Sequence, residues 1–144
     1  MEQQINTKRC LGCMEEFDPQ NGPCPCGFRI EQYKREESSL IPGTTLENGR
    51  YTIGRVLGQG GFGITYIGFD RILGKIAIKE FFPENPGNDY IVYRDVDRNG
   101  PEVEIRDKEI YKKGLDDFVR EAQILAELSG LDGVVNVRTW LQEN

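Results

Sequence analysis

The fold is decided by the stretch Leu57-Gly58-Gln59-Gly60-Gly61-Phe62-Gly63-Ile64-Thr65-Tyr66 and by the run Ile76-Ala77-Ile78-Lys79 that follows it. Spaced glycines let the backbone of a turn approach phosphates closely, because no Cβ blocks the approach. A lysine inside an apolar, strand-like run is costly unless its ammonium meets an anion. The two features together predict that a nucleotide's phosphates lie between the glycine turn and Lys79. The exposed tip residue of this turn, Phe62, would shield them from water.

The bulk composition excludes several classes of protein. The chain has 144 residues, which is enough for one ordinary domain and a small appendage. A net charge of −6 argues against a nucleic-acid binder, because phosphate backbones require clustered lysine and arginine. No apolar run is long enough to span a membrane, and the N-terminus lacks the features of a signal peptide. We therefore expect a cytoplasmic chain without membrane or nucleic-acid partners.

The four cysteines form two close pairs, Cys10/Cys13 and Cys24/Cys26. Two such pairs on short turns can place four thiolates at the corners of a tetrahedron around Zn²⁺. A segment this short has no core of its own, so metal binding would supply its folding energy. A reduced or disulfide-bonded loop without metal remains the alternative, because only Pro25 separates the second pair. The acidic residues that follow disfavour a nucleic-acid-binding ribbon and favour a structural or docking role.

The rest of the chain divides into a polar linker and a larger domain. We assign residues 1–30 to the cysteine segment, 31–49 to the linker and 50–144 to the domain. Strands are predicted at 51–57, 64–69 and 75–81, and the short turns between them imply an antiparallel sheet. A small hairpin is predicted between 90–96 and 102–106, and a last strand at 134–141.

One helix is predicted over residues 115–129. Asp116 and Asp117 would occupy its first turn, and Gly130 would stop it. Glu121 is the one carboxylate inside the apolar arc of this helix, so it needs a cationic partner, and Lys79 is the obvious candidate. The apolar positions recur at helical spacing: Leu115, Phe118, Val119, Ala122, Leu125 and Ala126.

Each feature of this site also has a plain structural explanation. The glycines could form an ordinary hairpin, and the heads of Lys79 and Glu121 could simply reach solvent. The glycine turn, the lysine and the glutamate nevertheless occur in the chain order that a nucleotide site requires. We therefore favour a site in which Lys79 contacts the α- and β-phosphates and Glu121 holds Lys79 in place.

Residues 50–141 resemble the N-terminal lobe of a eukaryotic-type protein kinase. The glycine run resembles the kinase glycine-rich loop, Ile76-Ala77-Ile78-Lys79 resembles the Val-Ala-Ile-Lys strand, and Phe118-Val119-Arg120-Glu121-Ala122 resembles the αC helix. The cysteine segment and Lys79-Glu80-Phe81-Phe82-Pro83 resemble bacterial serine/threonine kinases that carry an N-terminal zinc ribbon. The resemblance implies an α+β fold, in which a zinc-ribbon-like segment precedes a twisted antiparallel sheet and an αC helix.

The resemblance also implies a set of ligands and roles. Lys79 and Glu121 would be the catalytic ion pair, and the parent kinase would use ATP and Mg²⁺ to phosphorylate serine or threonine of a protein substrate. Thr65 takes a position where the family usually has valine, near the expected adenine. Residues implied to bind ATP are Leu57, Gly58, Gln59, Gly60, Gly61, Phe62, Gly63, Thr65, Ala77 and Lys79.

Motifs that the family needs for phosphoryl transfer do not occur in these residues. There is no His-Arg-Asp and no Asp-Phe-Gly, which supply the catalytic and the metal-binding carboxylates. We expect the chain alone to be inactive and to end inside a kinase lobe. The alternative function is a stand-alone regulatory or docking module built from such a lobe. A zinc-ribbon nucleic-acid binder is a third and weaker alternative.

Overall fold

The structure, a computed structural model, describes residues 7–35, 38–83, 91–94 and 100–142. Within these residues it has a mixed α+β architecture with a curled four-stranded antiparallel sheet, two small two-stranded sheets and one α-helix, which confirms the predicted α+β class. Short 3-10 turns lie at Pro19–Asn21 and Ile30–Gln32. The strands and the helix, in chain order, are β1 (Lys8–Arg9), β2 (Glu16–Phe17), β3 (Thr45–Leu46), β4 (Tyr51–Gly60), β5 (Gly63–Asp70), β6 (Gly74–Phe81), β7 (Val92–Tyr93), β8 (Glu104–Ile105) and α1 (Lys108–Glu127).

The central sheet has the strand order β3-β4-β5-β6, with every neighbouring pair antiparallel. The three long strands match the three predicted ones. Successive residues of a strand point to opposite faces, so β5 and β6 divide their side chains between two surfaces. Ile64, Tyr66, Ile78 and Glu80 point to what we call the closed face. Thr65, Ala77 and Lys79 point to the other, the open face.

The hydrophobic core covers the closed face. The stretch predicted as a linker contributes Leu40 and Leu46 to it, and Leu46 pairs with Tyr51 at the edge of β4. Burying a leucine side chain stabilises a fold by about 1.5–3 kcal/mol, so residues 38–46 are part of what holds the sheet. The buried core residues are Leu40, Leu46, Tyr51, Ile53, Ile64, Tyr66, Phe82 and Val92.

A buried ion pair also lies on the closed face. The guanidinium of Arg94, which is 2% exposed, donates hydrogen bonds to both carboxylate oxygens of Glu80. The Tyr66 hydroxyl donates to Glu80 Oε1 at 2.9 Å and accepts from the Leu40 amide at 3.0 Å. Arg94 also donates to the Ser38 carbonyl at 2.6 Å. The network therefore ties two separate stretches of chain, 38–40 and 91–94, to the sheet.

The helix begins earlier than predicted. Its N-cap is Asp107, whose carboxylate accepts a hydrogen bond from the Ile110 amide at 3.1 Å. The predicted start at Leu115 is wrong, and Asp116 therefore lies in the middle of α1. Gly114 is a poor helix former, yet it lies inside α1, where a Cβ would be 2.9 Å from the Phe81 ring. The apolar positions of the predicted face are half-buried, as the spacing indicated.

The helix ends at Glu127, with Gly130 at a φ of +94° just beyond it. The predicted hairpin is confirmed in its pairing, because Val92 lies opposite Ile105. Its turn at 95–99 falls outside the described residues. The predicted strand at 134–141 is wrong: residues 134–142 form no strand, although Val134, Val135 and Val137 favour one. A strand needs a neighbour for its backbone hydrogen bonds, and the described part of the chain provides none there.

Across the described ranges, no helix has both the length and the apolar character to cross a membrane.

Candidate functional site

The glycine turn is a tight hairpin between β4 and β5. Gly60 lies opposite Gly63 in the ladder, so Gly61 and Phe62 form the turn itself. The Phe62 side chain is 69% exposed and caps the tip. The protein's own packing does not explain the glycines at 58, 60 and 61, because a Cβ at each would meet nothing within 4 Å. The turn therefore keeps an open strip of backbone, which a phosphate could approach closely.

Gly63 differs from the other glycines of the run. A Cβ at this position would lie 2.1 Å from the carbonyl oxygen of Glu80 on the neighbouring strand. Gly63 is needed for the close approach of β5 to β6. Gly63 is therefore required by the packing of the sheet, whereas Gly58, Gly60 and Gly61 leave open space beside the backbone.

Three of the predicted ligand-binding residues lie in one row across the sheet. Gly58 is the ladder partner of Thr65, and Thr65 is the ladder partner of Lys79. Directly opposite residues on antiparallel strands share a face, with Cβ atoms roughly 4.5–5.5 Å apart. Ala77 follows on the same open face, opposite Ile67. The fold thus assembles on one surface four residues that are scattered in the sequence.

Lys79 and Glu121 are not in contact in this structure. The Lys79 ammonium lies 5.5 Å from the centre of the Phe118 ring, a cation–π distance. Both charged residues are exposed, and no ion pair joins them or involves either of them in the part of the chain that the structure describes. Phe118 precedes Glu121 by one helical turn and takes the place beside the lysine.

The position of Phe118 follows from how α1 packs on the sheet. The Phe81 ring at the end of β6 packs against Tyr111 at 5.2 Å and against Phe118 at 5.4 Å between ring centres. Gly114 lies beneath the same ring. This aromatic contact therefore fixes which side of α1 faces Lys79.

The four cysteine sulfurs lie within 4.8 Å of one another. All four cysteines are free thiols, and the Sγ atoms are 3.6 Å apart for Cys10/Cys26 and 3.7 Å apart for Cys13/Cys24. A tetrahedral Zn²⁺ with sulfur ligands at about 2.3 Å would place neighbouring sulfurs roughly 3.8 Å apart. The donor set fits, and the four cysteines could hold a metal ion such as zinc. We refer to residues 8–28 as the four-cysteine unit.

Backbone amides support the sulfurs. The Gly12 amide donates to Cys10 Sγ at 3.3 Å, and the Phe28 amide donates to Cys26 Sγ at 3.4 Å. The bond from Phe28 favours the thiolate and is the main cause that lowers the pKa of Cys26 to about 7.

The four-cysteine unit docks on the far end of the open face. Glu15 accepts a hydrogen bond from Lys75 at 2.7 Å, which lowers the pKa of this carboxyl, and Arg9 lies over the Phe69 ring at 3.5 Å. Met14 is 1% exposed and packs where β4 has only a glycine, Gly54. The unit and the Lys79 site thus occupy two ends of one surface.

The comparisons with known proteins add one match. No protein-family model matches the chain, and no curated protein matches it. Among solved structures, the apo form of PpkA-294, a bacterial serine/threonine kinase fragment, matches with 30% sequence identity and a TM-score of 0.60. The fold is kinase-like. The match covers 73% of this chain, and the chain spans only 35% of the length of PpkA-294.

The sequence did not predict the contacts of several residues in this kinase-like fold. The buried pair consists of Arg94 and Glu80. Arg55 contacts the four-cysteine unit, and Tyr33 contacts β4. Glu80 could have been found, because strand alternation places it on the face opposite Lys79, where a carboxylate needs a partner. No sequence signal marks Arg94, because it reaches Glu80 only after the chain folds back through 91–94.

Proposed function

We propose that this chain is the N-terminal portion of an ATP-dependent serine/threonine protein kinase. The observation that carries the proposal is the row of Gly58, Thr65 and Lys79 across the open face, in a kinase-like fold. The strip beside Gly60 and Gly61 has room for phosphates, and Lys79 supplies a positive charge that no carboxylate neutralises among the described residues.

In this proposal each residue has a physical task. The backbone of residues 57–63 follows the phosphates, and Phe62 covers them from water. Lys79 leaves the Phe118 ring and contacts the α- and β-phosphates, because an ammonium gains more from a phosphate than from a ring. Glu121 would then hold Lys79. This requires α1 to rotate about its axis, so that Glu121, one helical turn after Phe118, takes the place of the Phe118 ring beside the lysine. Mg²⁺, when bound in the complete kinase, would neutralise charge on the β- and γ-phosphates.

Thr65 and Ala77 extend the proposed site beyond the phosphates. Ala77 is small and exposed, so it leaves room for a flat base on the open face. The Thr65 side chain keeps the β-branch expected there and adds a hydroxyl. Leu57, which is 48% exposed, would contribute apolar surface on the β4 side.

A titration of the 144-residue chain with a fluorescent ATP analogue tests the phosphate contacts. Lys79→Met should weaken binding on the order of tenfold or more, because it removes a charge-assisted contact. The control is Lys112→Met, an exposed lysine of α1, which should bind like the wild type. No binding by the wild type at millimolar nucleotide, or equal binding by Lys79→Met, would contradict the proposal.

The transfer reaction belongs to the whole protein. The chain itself contains neither His-Arg-Asp nor Asp-Phe-Gly, so its proposed role is nucleotide binding. The complete gene product should phosphorylate serine or threonine with ATP, and Lys79→Ala should lose that activity. Equal phosphorylation by both proteins would be evidence against the kinase assignment.

We also propose that the metal in the four-cysteine unit is zinc. Four thiolates at near-tetrahedral separations are the donor set that structural zinc prefers. Metal analysis of freshly reduced protein should find about one zinc per chain, since the four thiols form one complete site. Less than half an equivalent would contradict this assignment.

A second candidate function is a regulatory or docking module. It is favoured by apolar side chains that remain exposed on α1 and after it: Ile110, Ile124, Leu128, Leu131, Val135 and Trp140. A monodisperse 144-residue protein that binds no nucleotide would favour the module over the kinase.

A further inference from the structure

Strand β4 leaves its regular ladder just before the glycine turn. The register with β5 shifts twice, once between Ile53 and Val56 and again between Val56 and Gly58. Such irregularities free backbone groups that the ladder would otherwise pair. The amides of Arg55 and Val56 lie inside this interval, so both need partners from outside the ladder.

Both amides find their partners in the N-terminal segment. The Arg55 amide donates to the Leu11 carbonyl at 2.9 Å, and the Val56 amide donates to the Tyr33 hydroxyl at 3.0 Å. The Arg55 side chain adds a second bond, from Nε to the Gly12 carbonyl at 2.9 Å. Leu11 and Gly12 are the two residues between the ligands Cys10 and Cys13, so Arg55 contacts the cysteine turn itself.

The same contact is closely packed on both sides. A Cβ at Gly54 would lie 2.4 Å from the Leu11 carbonyl and 2.5 Å from Met14 Cε, so the unit rests directly on the β4 backbone. On the other side, Phe28 packs against Gly12 and its ring lies 5.6 Å from the Tyr33 ring. A continuous chain of contacts therefore runs from the cysteine turn through Phe28 and Tyr33 to Val56.

We propose that Arg55 and Tyr33 are positioning residues, through which the metal-loaded four-cysteine unit holds the glycine turn in place for phosphates. Val56 is followed directly by Leu57 and Gly58, so a shift of the irregular interval moves the first residues of the turn. With metal bound, Leu11 and Gly12 are fixed between two ligands and hold β4. Without metal, the two carbonyl acceptors lose their fixed positions, and the turn becomes mobile. The nucleotide part of this inference rests on the kinase proposal, whereas the coupling of metal to the turn rests only on the proposed zinc site.

Hydrogen exchange of the 144-residue chain, with and without zinc, tests the coupling directly. Removing zinc with a chelator should speed exchange of the amides at 55–60 in the wild type, while the amides of β6, which does not pair with β4, serve as the internal reference. Tyr33→Phe alone should speed exchange of the Val56 amide about fivefold, the effect of losing one neutral hydrogen bond. Arg71→Ala, an exposed arginine on the turn after β5, is the control and should change nothing.

The decisive variant combines Arg55→Ala with Tyr33→Phe. If the two residues carry the coupling, zinc removal should alter exchange at 55–60 much less in this variant than in the wild type, as in a double-mutant cycle. The variant should still bind about one equivalent of zinc, because it keeps all four cysteines. Equal responses to zinc in the two proteins would overturn the inference, and so would an equal loss of protection in β6.

A parallel nucleotide titration separates this inference from the proposed function. Zinc removal should weaken binding of the ATP analogue in the wild type and leave the double variant nearly unchanged. Coupling in the exchange data without any nucleotide binding would support the positioning role and overturn the kinase proposal. Nucleotide binding with zinc-independent exchange would do the reverse.

Discussion

The two faces of the central sheet differ in the partners that they give to Glu80 and Lys79, two neighbouring charged residues. On the closed face, Glu80 and Arg94 are paired with each other, and the Tyr66 hydroxyl supplies a further bond to the carboxylate. One residue earlier on the same strand, Lys79 points to the open face, where its ammonium lies near the Phe118 ring and forms no ion pair within the described residues. A buried pair of charges serves the fold, whereas a lone exposed cation beside an empty strip of backbone is available to a ligand. Neighbouring residues of one strand thus separate a stabilising ion pair from the proposed nucleotide contact.

Breaking the buried pair should produce the largest effect on stability. Arg94→Met leaves the Glu80 carboxylate in a desolvated site without its cation, which costs about 3–5 kcal/mol. Urea denaturation measures the loss. The comparison with the open face is Lys79→Met, which should change the free energy of unfolding by no more than about 0.5 kcal/mol.

A double variant sharpens this result. Arg94→Met combined with Glu80→Leu removes both charges, and it should recover most of the stability that the single change loses. If the double variant is as unstable as Arg94→Met, the network contributes through its packing, and the electrostatic account of the closed face is wrong.

Two glycines of the same turn should respond differently to alanine. Gly63→Ala places a Cβ against the Glu80 carbonyl and should destabilise the sheet by about 1–3 kcal/mol, because the strands must separate to accept it. Gly60→Ala meets open space, so stability should hold while binding of the ATP analogue weakens. Thermal melts and nucleotide titrations of the two variants measure the two effects. Equal melting temperatures would contradict the assignment of Gly63 to the sheet.

The smallest expected effect is on the pH dependence of stability, through an ion pair at the end of the closed face. The Arg50 guanidinium donates to both oxygens of Asp70 at 3.2 Å, and these bonds hold the pKa of this carboxyl below its ordinary value of 3.8. The stabilisation is complete above the ordinary value and is lost as the pH falls through the lower pKa of the folded state. Asp70→Asn should therefore flatten the acid side of the stability curve below about pH 4. An unchanged acid limb in denaturation experiments would argue against this pair.

The sequence predicted most accurately where one local rule decides the outcome. Alternating apolar residues bounded by glycines predicted β4, β5 and β6, and helical spacing predicted the half-buried face of α1. The cysteine spacing brought the four sulfurs together as expected. Each of these patterns acts over a few neighbouring residues, so the sequence contains the whole signal.

The predictions failed or fell short where distant packing decides. The helix was predicted to start at Leu115, whereas its N-cap is Asp107 and Gly114 packs inside it against Phe81 of a distant strand. Val134–Leu141 has strand propensity, yet no neighbouring strand pairs with it in the described residues. The ion pair of Lys79 with Glu121 stays a prediction, because the Phe81 contact turns Phe118 toward the lysine. None of these outcomes can be read from a window of sequence, since the partner lies far along the chain.

The glycine at position 54 has a consequence for the history of the chain. It is the point at which the four-cysteine unit rests on the backbone of β4, and any side chain there would collide with Leu11, Met14 and Ile67. In related sequences, a glycine at this place should therefore be inherited together with the cysteines. Lineages that have lost the cysteines are free to accept larger residues. The residue at position 54 would then indicate, from sequence alone, whether the four-cysteine unit of a relative is docked on β4.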